Sequence, residues 1–240
     1  MKLFKTLFLI SLAAGTLFAA EPRSETGTLQ QVSGKTGTVD LKNIPAGVSG
    51  IVIHTYNPTH KAIVASAVVT RSDAAQTSIK LLPYTGLKQP NLPSVKTPPR
   101  QGDTVILGYL YDRVLPIVPN RKSFDKARKS FSKLHIIHPD LMAAELAKDK
   151  SPIPDKEHFQ RMCDKFALGI VMFMYADGTD FLDCKSWQKV AHVDVASVEP
   201  KKFKQPFYNR FEEIPSPFYD WTEHKIDDFD RFYKRLEQQK

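Results

Sequence analysis

Alternation of apolar and polar positions dominates the chain from about Thr26 to Leu110. Thr28 to Val32 and Thr36 to Leu41 flank Ser33-Gly34-Lys35, which predicts two strands joined by a hairpin turn. Gly50 to Tyr56 and Ala62 to Thr70 are rich in Val, Ile, Ala and Thr, with Asn57-Pro58-Thr59-His60 as the turn between them. Gln76 to Leu82 and Thr104 to Leu110 complete about six short strands, the pattern of a small barrel or sandwich. Between the last two strands lie Pro83, Pro90, Pro93, Pro98 and Pro99. Proline has no amide to give to a ladder, so this stretch is expected to be a stiff surface loop.

Beyond Tyr109 the period changes. Val114 to Val118 is a compact apolar run that reads as a strand, with Pro116 pointing to an edge or a bulge. Ser123 to Phe131 places Phe124, Ala127 and Phe131 at helical spacing, and Leu134 to Ile137 is a second apolar run. Pro139 suits the first turn of a helix whose expected buried stripe is Leu141, Ala144, Leu146 and Ala147. Pro154-Asp155 opens another helix reaching about Phe166. Leu168 to Tyr175 and Phe181 to Cys184 flank Asp177-Gly178, a hairpin signal, and Trp187 to Ala196 adds a further strand. Phe207, Tyr208, Phe211, Phe218, Tyr219 and Trp221 are then interleaved with Pro206, Pro215 and Pro217. This segment is expected to wrap the protein's own surface and to close in a helix with Ile226, Phe229, Tyr233 and Leu236 along one side.

The expected fold is therefore mixed α+β: a small all-β barrel or sandwich, a small α/β layered domain, and an aromatic-rich tail ending in a helix. Residues 24–108 read as the β-rich module, 109–200 as the α/β module and 201–240 as the wrapping segment. Residues 1–19 stand apart. Lys2 and Lys5 precede an apolar run from Leu7 to Ala14, and Leu17-Phe18-Ala19-Ala20 offers a small-residue cleavage point. That is the pattern of a signal peptide, and it predicts export to the periplasm or the cell surface, with the outer membrane as one address. The longest later apolar run, Phe166 to Ala176, is too short to cross a bilayer, so no transmembrane segment is expected in the mature chain.

Export changes the meaning of the two cysteines, Cys163 and Cys184, which become a candidate disulfide alongside the alternative of two separate buried thiols. The formal charge is +8, with Lys2 and Lys5 supplying two of those charges. Positive and negative residues alternate along most of the chain, and Pro200 to Lys204 is the nearest approach to a basic block. No nucleic-acid partner is expected from this pattern.

Candidate chemistry is sparse. Gly34-Lys35-Thr36 lacks the glycine a phosphate-binding loop needs at position 29, which is Leu29, and it lies in a hairpin. His135, His138 and Asp140 are weak metal candidates, because residues three apart on a strand face opposite ways unless the chain bends. The other reading is an exposed histidine and a helix-capping aspartate. His54 and His60 bracket a turn without a third ligand. There is no G-x-S-x-G or H-E-x-x-H pattern, and neither an enzyme nor a cofactor is expected.

Several blocks carry a resemblance: Ser49 to Thr70 (SGIVIHTYNPTHKAIVASAVVT), Thr85 to Pro93 (TGLKQPNLP), Gly102 to Asn120 (GDTVILGYLYDRVLPIVPN), His138 to Leu146 (HPDLMAAEL) and Phe159 to Cys184. Together, over roughly Leu41 to Val190, they resemble the N-terminal domain of the bacterial plasminogen-binding protein A family. The resemblance implies an exported, surface-associated binding protein that captures host plasminogen through a C-terminal lysine, here Lys240. Such a lysine offers an ammonium and a carboxylate, which the kringle domains implied as partner would take between acidic and basic groups over an aromatic trough. The alternative reading is a periplasmic structural module that meets an envelope protein through its folded domains or through Phe207 to Trp221.

Overall fold

The computed structural model describes residues 21–86, 96–216 and 225–239. β1 (Glu25–Ser33), β2 (Thr36–Val39), β3 (Ser49–Asn57), β4 (His60–Ser72), β5 (Thr77–Leu82) and β6 (Thr104–Leu107) form a closed barrel in the order β1-β2-β5-β4-β3-β6. Closure is explicit: β6 pairs with β3 from Gly50 to Ile53 and with β1 from Glu25 to Thr28. A barrel, not a sandwich, is the outcome. Register shifts in β1 between Leu29 and Gln31, in β3 between Val52 and Ile53, and in β4 between Val69 and Arg71 bend the strands into the curve. Alternation sends Leu29, Val39, Val52, Val69, Ile79 and Val105 inward, where all are buried.

Gly50 is required by this closure. A Cβ there would lie 2.2 Å from the carbonyl oxygen of Ile106 on β6. The last strand is shorter than the expected Thr104 to Leu110. Gly108 and Leu110 take φ of +68° and +65°, so the chain leaves the ladder after Leu107.

The second sheet has the order β11-β10-β9-β7-β8, built from β7 (Arg113–Ile117), β8 (His135–Ile136), β9 (Ile170–Tyr175), β10 (Gly178–Asp183) and β11 (Lys189–Val193). β7 is parallel to β8 and β9, while β9, β10 and β11 run antiparallel in turn. Every residue of β9 and β10 is buried, because both faces of this sheet are covered. On β9, Ile170, Met172 and Met174 join the cluster that continues into the barrel. Val171, Phe173 and Tyr175 join the opposite cluster. Thus α1 (Arg121–Ser130) packs on the barrel side through Phe124 and Ala127. On the other side lie α2 (Asp140–Asp149), α3 (Lys156–Phe166) and α4 (Phe229–Glu237).

Pro116 lies inside the sheet and fits for a specific reason. Asp112, Val114 and Val118 turn their carbonyls to one side, accepting from His135, Ile137 and Tyr208. Pro116 shares that side, and β8 pairs with β7 only at Arg113 and Val114. The missing amide therefore faces a gap past the end of β8. In α2 the buried residues are Met142, Ala143 and Leu146; of the expected stripe Leu146 is buried and Ala147 half-buried, whereas Ala144 is exposed and Leu141 is 39% exposed. Asp140, tied to Arg210, and Ala144 one turn later share the outer side of the helix.

Candidate functional site

The sequence places its ligand-binding candidate, Lys240, at the end of α4; that residue lies outside the described residues, as do Phe218, Tyr219 and Trp221. What the structure shows is the platform before it. Asp228 caps α4 by accepting from the amide of Arg231 at 2.8 Å. Phe229, Tyr233 and Leu236 form its buried side, at the spacing one helical face requires. Tyr233 rests on Phe173 of β9, with ring centres 5.4 Å apart, and its hydroxyl donates to the carbonyl of Pro206.

The last turn of α4 is held by partners from three directions. The indole of Trp187 donates to the carbonyl of Leu236 at 3.2 Å. The Lys156 ammonium donates to the carbonyl of Gln239 at 3.1 Å. The hydroxyl of Tyr175 donates to Oε1 of Glu237 at 2.5 Å. Burial pushes the Glu237 carboxyl up to about 7; the Tyr175 bond and Lys189 oppose this, and the Asp180 carboxylate reinforces it. Asp180 is itself buried, paired with Lys189 at 3.1 Å and His192 at 2.5 Å. Also on α4, Lys234 in the last turn pairs with Asp177 at 2.6 Å, and Asp230 in the first turn accepts from the amide of Ala176 at 2.9 Å. Burial raises the Asp230 carboxyl, and the bond to Asp177 raises Lys234.

Cys163 of α3 and Cys184, just past β10, are bonded to each other, with Cα atoms 5.8 Å apart. They border a cleft of about 200 Å³ between the barrel and the second sheet. Its polar lining includes Ser49, Tyr84, Tyr109, Asp164 and Lys185. The hydroxyl of Ser49 is committed to Asp183, and the Lys185 ammonium to Thr85 Oγ1 at 2.9 Å. Burial raises the Tyr84 phenol above its ordinary value.

The histidine candidates are placed apart in role. His135 is exposed on β8. His138 stacks edge-on against Phe124 at 4.8 Å, and its Nδ1 accepts from the amide of Asp140. Asp140 does not cap α2; its carboxylate takes the amide and the Nε of Arg210 at 2.9 and 2.5 Å. Burial raises that carboxyl, but the Arg210 bonds outweigh it and the net position is below the ordinary value. Among the described residues no three His, Cys, Asp or Glu side chains come together as a metal site. His54 is bonded to Asp103 at 2.6 Å, and His60 folds back on Asn57 within its turn. Among the described residues no helix is long and apolar enough to cross a membrane.

Asp183 carries no sequence motif, yet it organises the junction of the two sheets. The only advance signal is its place at the end of an apolar hairpin strand, where a carboxylate would otherwise be unexpected.

A family profile described as plasminogen-binding protein PgbA, N-terminal, matches residues 26–236, which is the whole fold from β1 nearly to the end of α4. Two relatives are each named plasminogen-binding protein PgbA. One, from Helicobacter pylori strain 26695, is 20% identical over 172 residues, covering 72% of this chain. The other, from Helicobacter pylori strain J99, is 21% identical over 175 residues, covering 73%. The matched part spans 37% of the length of each relative.

Proposed function

The chain belongs to the PgbA N-terminal family, and on that premise we propose that it is an exported, non-enzymatic binding protein of the cell envelope whose partner is host plasminogen. The observation that carries the reading is the extent of the family match, residues 26–236, which takes in both sheets and α1 to α4 save the first residue of β1 and the last of α4. The names of the two relatives supply the partner. The leader-like pattern of residues 1–19 supports export.

Within this reading the contact is Lys240, two residues beyond Gln238, where α4 has already been fixed by Tyr175, Trp187 and Lys156. A kringle recognises such a residue through charge pairing at both its ammonium and its carboxylate and through cation–π contact. Surface plasmon resonance on immobilised plasminogen tests it. The chain binds, a lysine analogue competes, and removal of Lys240 abolishes the competed fraction. Binding that survives both the analogue and the removal of Lys240 overturns the lysine contact. No binding of any kind overturns the plasminogen reading and leaves crosslinking in intact cells to identify an envelope partner.

A further inference from the structure

We propose that the outer side of α1, together with the turn through Lys201 and Lys202, is a docking surface for a linear sulfated polysaccharide. Along the sequence the two segments are far apart, and each is a modest cluster. The fold brings them together. The side-chain amide of Asn120, the N-cap of α1, donates to the carbonyls of Val198 at 2.7 Å and Lys202 at 2.9 Å. The Lys126 ammonium donates to the carbonyl of Ala196, and Ser123 and Val198 exchange hydrogen bonds.

Within this face α1 contributes Arg121, Lys122, Lys126, Arg128 and Lys129, the turn after it Lys133, and the second segment Lys201 and Lys202. The carboxylates on residues 121–133 and 196–202 are Asp125 and Glu199. Eight cations thus face two anions, which accounts for most of the chain's formal excess of +8. Glu199 is shared between Lys122 at 2.5 Å and Lys202 at 3.7 Å, and Asp125 lies 3.9 Å from Arg121. That leaves Arg128, Lys129, Lys133 and Lys201 exposed and without a carboxylate partner among the described residues, with the Arg128 guanidinium 6.0 Å from the ring centre of Phe124. Along α1, from Arg121 to Lys129, the cations form a stripe about 12 Å long, given a rise of ~1.5 Å per residue.

Charge complementarity selects a polyanion, and the surface chemistry narrows it further. The large apolar side chains exposed among the described residues are Tyr56 and Leu141, and neither lies on these segments. The face therefore has no aromatic platform for stacked bases. It also has no apolar wedge to enter a bilayer. A sugar chain bearing sulfates along its length needs neither. The site is independent of α4, which lies across the second sheet from α1.

The test is binding of the full chain to heparin over a series of NaCl concentrations. For the parent chain log K falls linearly with log salt, as counterion release requires. Lys129→Gln, Lys133→Gln and Lys201→Gln together weaken heparin binding by about ten-fold or more and flatten the salt slope. A control with Lys61→Gln, Lys80→Gln and Lys148→Gln removes equal charge elsewhere and changes affinity by less than about two-fold. Both triple variants alter exposed positions, and matching thermal unfolding curves establish that they fold. Equal losses in the two variants overturn the proposal, since net charge alone would then explain binding. So does competition by phosphatidylglycerol vesicles or duplex DNA that matches heparin. Plasminogen binding by the patch variant stays unchanged, which separates this site from the one at Lys240.

Discussion

Ser49 gives both its amide and its hydroxyl to one oxygen of Asp183, at 3.0 and 2.6 Å, and so ties the first residue of β3 in the barrel to the last residue of β10 in the second sheet. The same oxygen accepts the Tyr111 phenol at 2.8 Å. The other oxygen accepts the amides of Lys185 and Ser186 at 2.8 and 2.6 Å. The carboxylate is fully buried, and among the described residues no cationic side chain pairs with it. Five dipolar donors hold the charge instead.

Asp183→Asn is the revealing substitution, because an amide accepts on one side only. At least two donors lose their acceptor in a buried place, each loss costing about 1–3 kcal/mol. Urea unfolding is expected to show a loss of about 3 kcal/mol or more in the variant. Ser49→Ala removes one donor and leaves the carboxylate served by four, so its cost is smaller, about 1 kcal/mol.

Glu237 gives the fold a pH dependence of definite sign. Its folded-state pKa of about 7 lies above the ordinary 4.5, so the folded protein holds a proton that the unfolded chain releases. Stability from this group is complete below pH 4.5 and is lost as pH rises towards 7. The loss is on the order of 3 kcal/mol when complete, concentrated where α4 meets β9. Glu237→Gln keeps the acceptor for Tyr175 and removes the charge. Thermal unfolding between pH 4.5 and pH 7 should fall less steeply in the variant than in the parent. A parallel pair of curves would remove Glu237 as the cause.

The Cys163–Cys184 bond closes a loop with a sequence separation of 21 around the α3–β9–β10 hairpin. A loop of that size restricts the unfolded chain by an amount worth about 3 kcal/mol. Replacing both cysteines with alanine should lower stability by that order while far-ultraviolet circular dichroism stays the same. Reductant should reproduce the shift in the parent and have no effect on the variant.

Gly50→Ala probes barrel closure. The added methyl meets backbone on β6, 2.2 Å from the Ile106 oxygen, and a carbonyl cannot rotate away as a flexible side chain would. A loss of about 2 kcal/mol or more is expected, with amide exchange accelerating first at β3 and β6.

Much of this architecture is legible in the linear sequence. Six barrel strands, the helix after Asn120, the helix opened by Asp155 and the hairpin at Asp177-Gly178 each follow from period and turn chemistry, because these signals are local. Barrel against sandwich is not local: it depends on whether β6 returns to β1, a contact between Thr104 and Thr28. β9 reads only as a continuous apolar run, and it takes the two clusters on either side to reveal which residues face which. At the candidate site, Cys163 and Cys184 can be named as a pair, but the 5.8 Å between their Cα atoms cannot be read from spacing. Asp183, Glu237 and the joined basic face share one reason for being hidden. Each owes its character to neighbours far along the chain, such as Ser49 for Asp183 and Tyr175 for Glu237.

One hydrophobic cluster runs without interruption from Leu29 and Ile79 inside the barrel to Met172 and Phe181 on the second sheet. Severing the chain between the two sheets would therefore expose a greasy wound on each piece, and neither half is suited to transplantation into another protein. A pull on either sheet is therefore carried to the other through side chains they share, with no seam along which the two could slide apart.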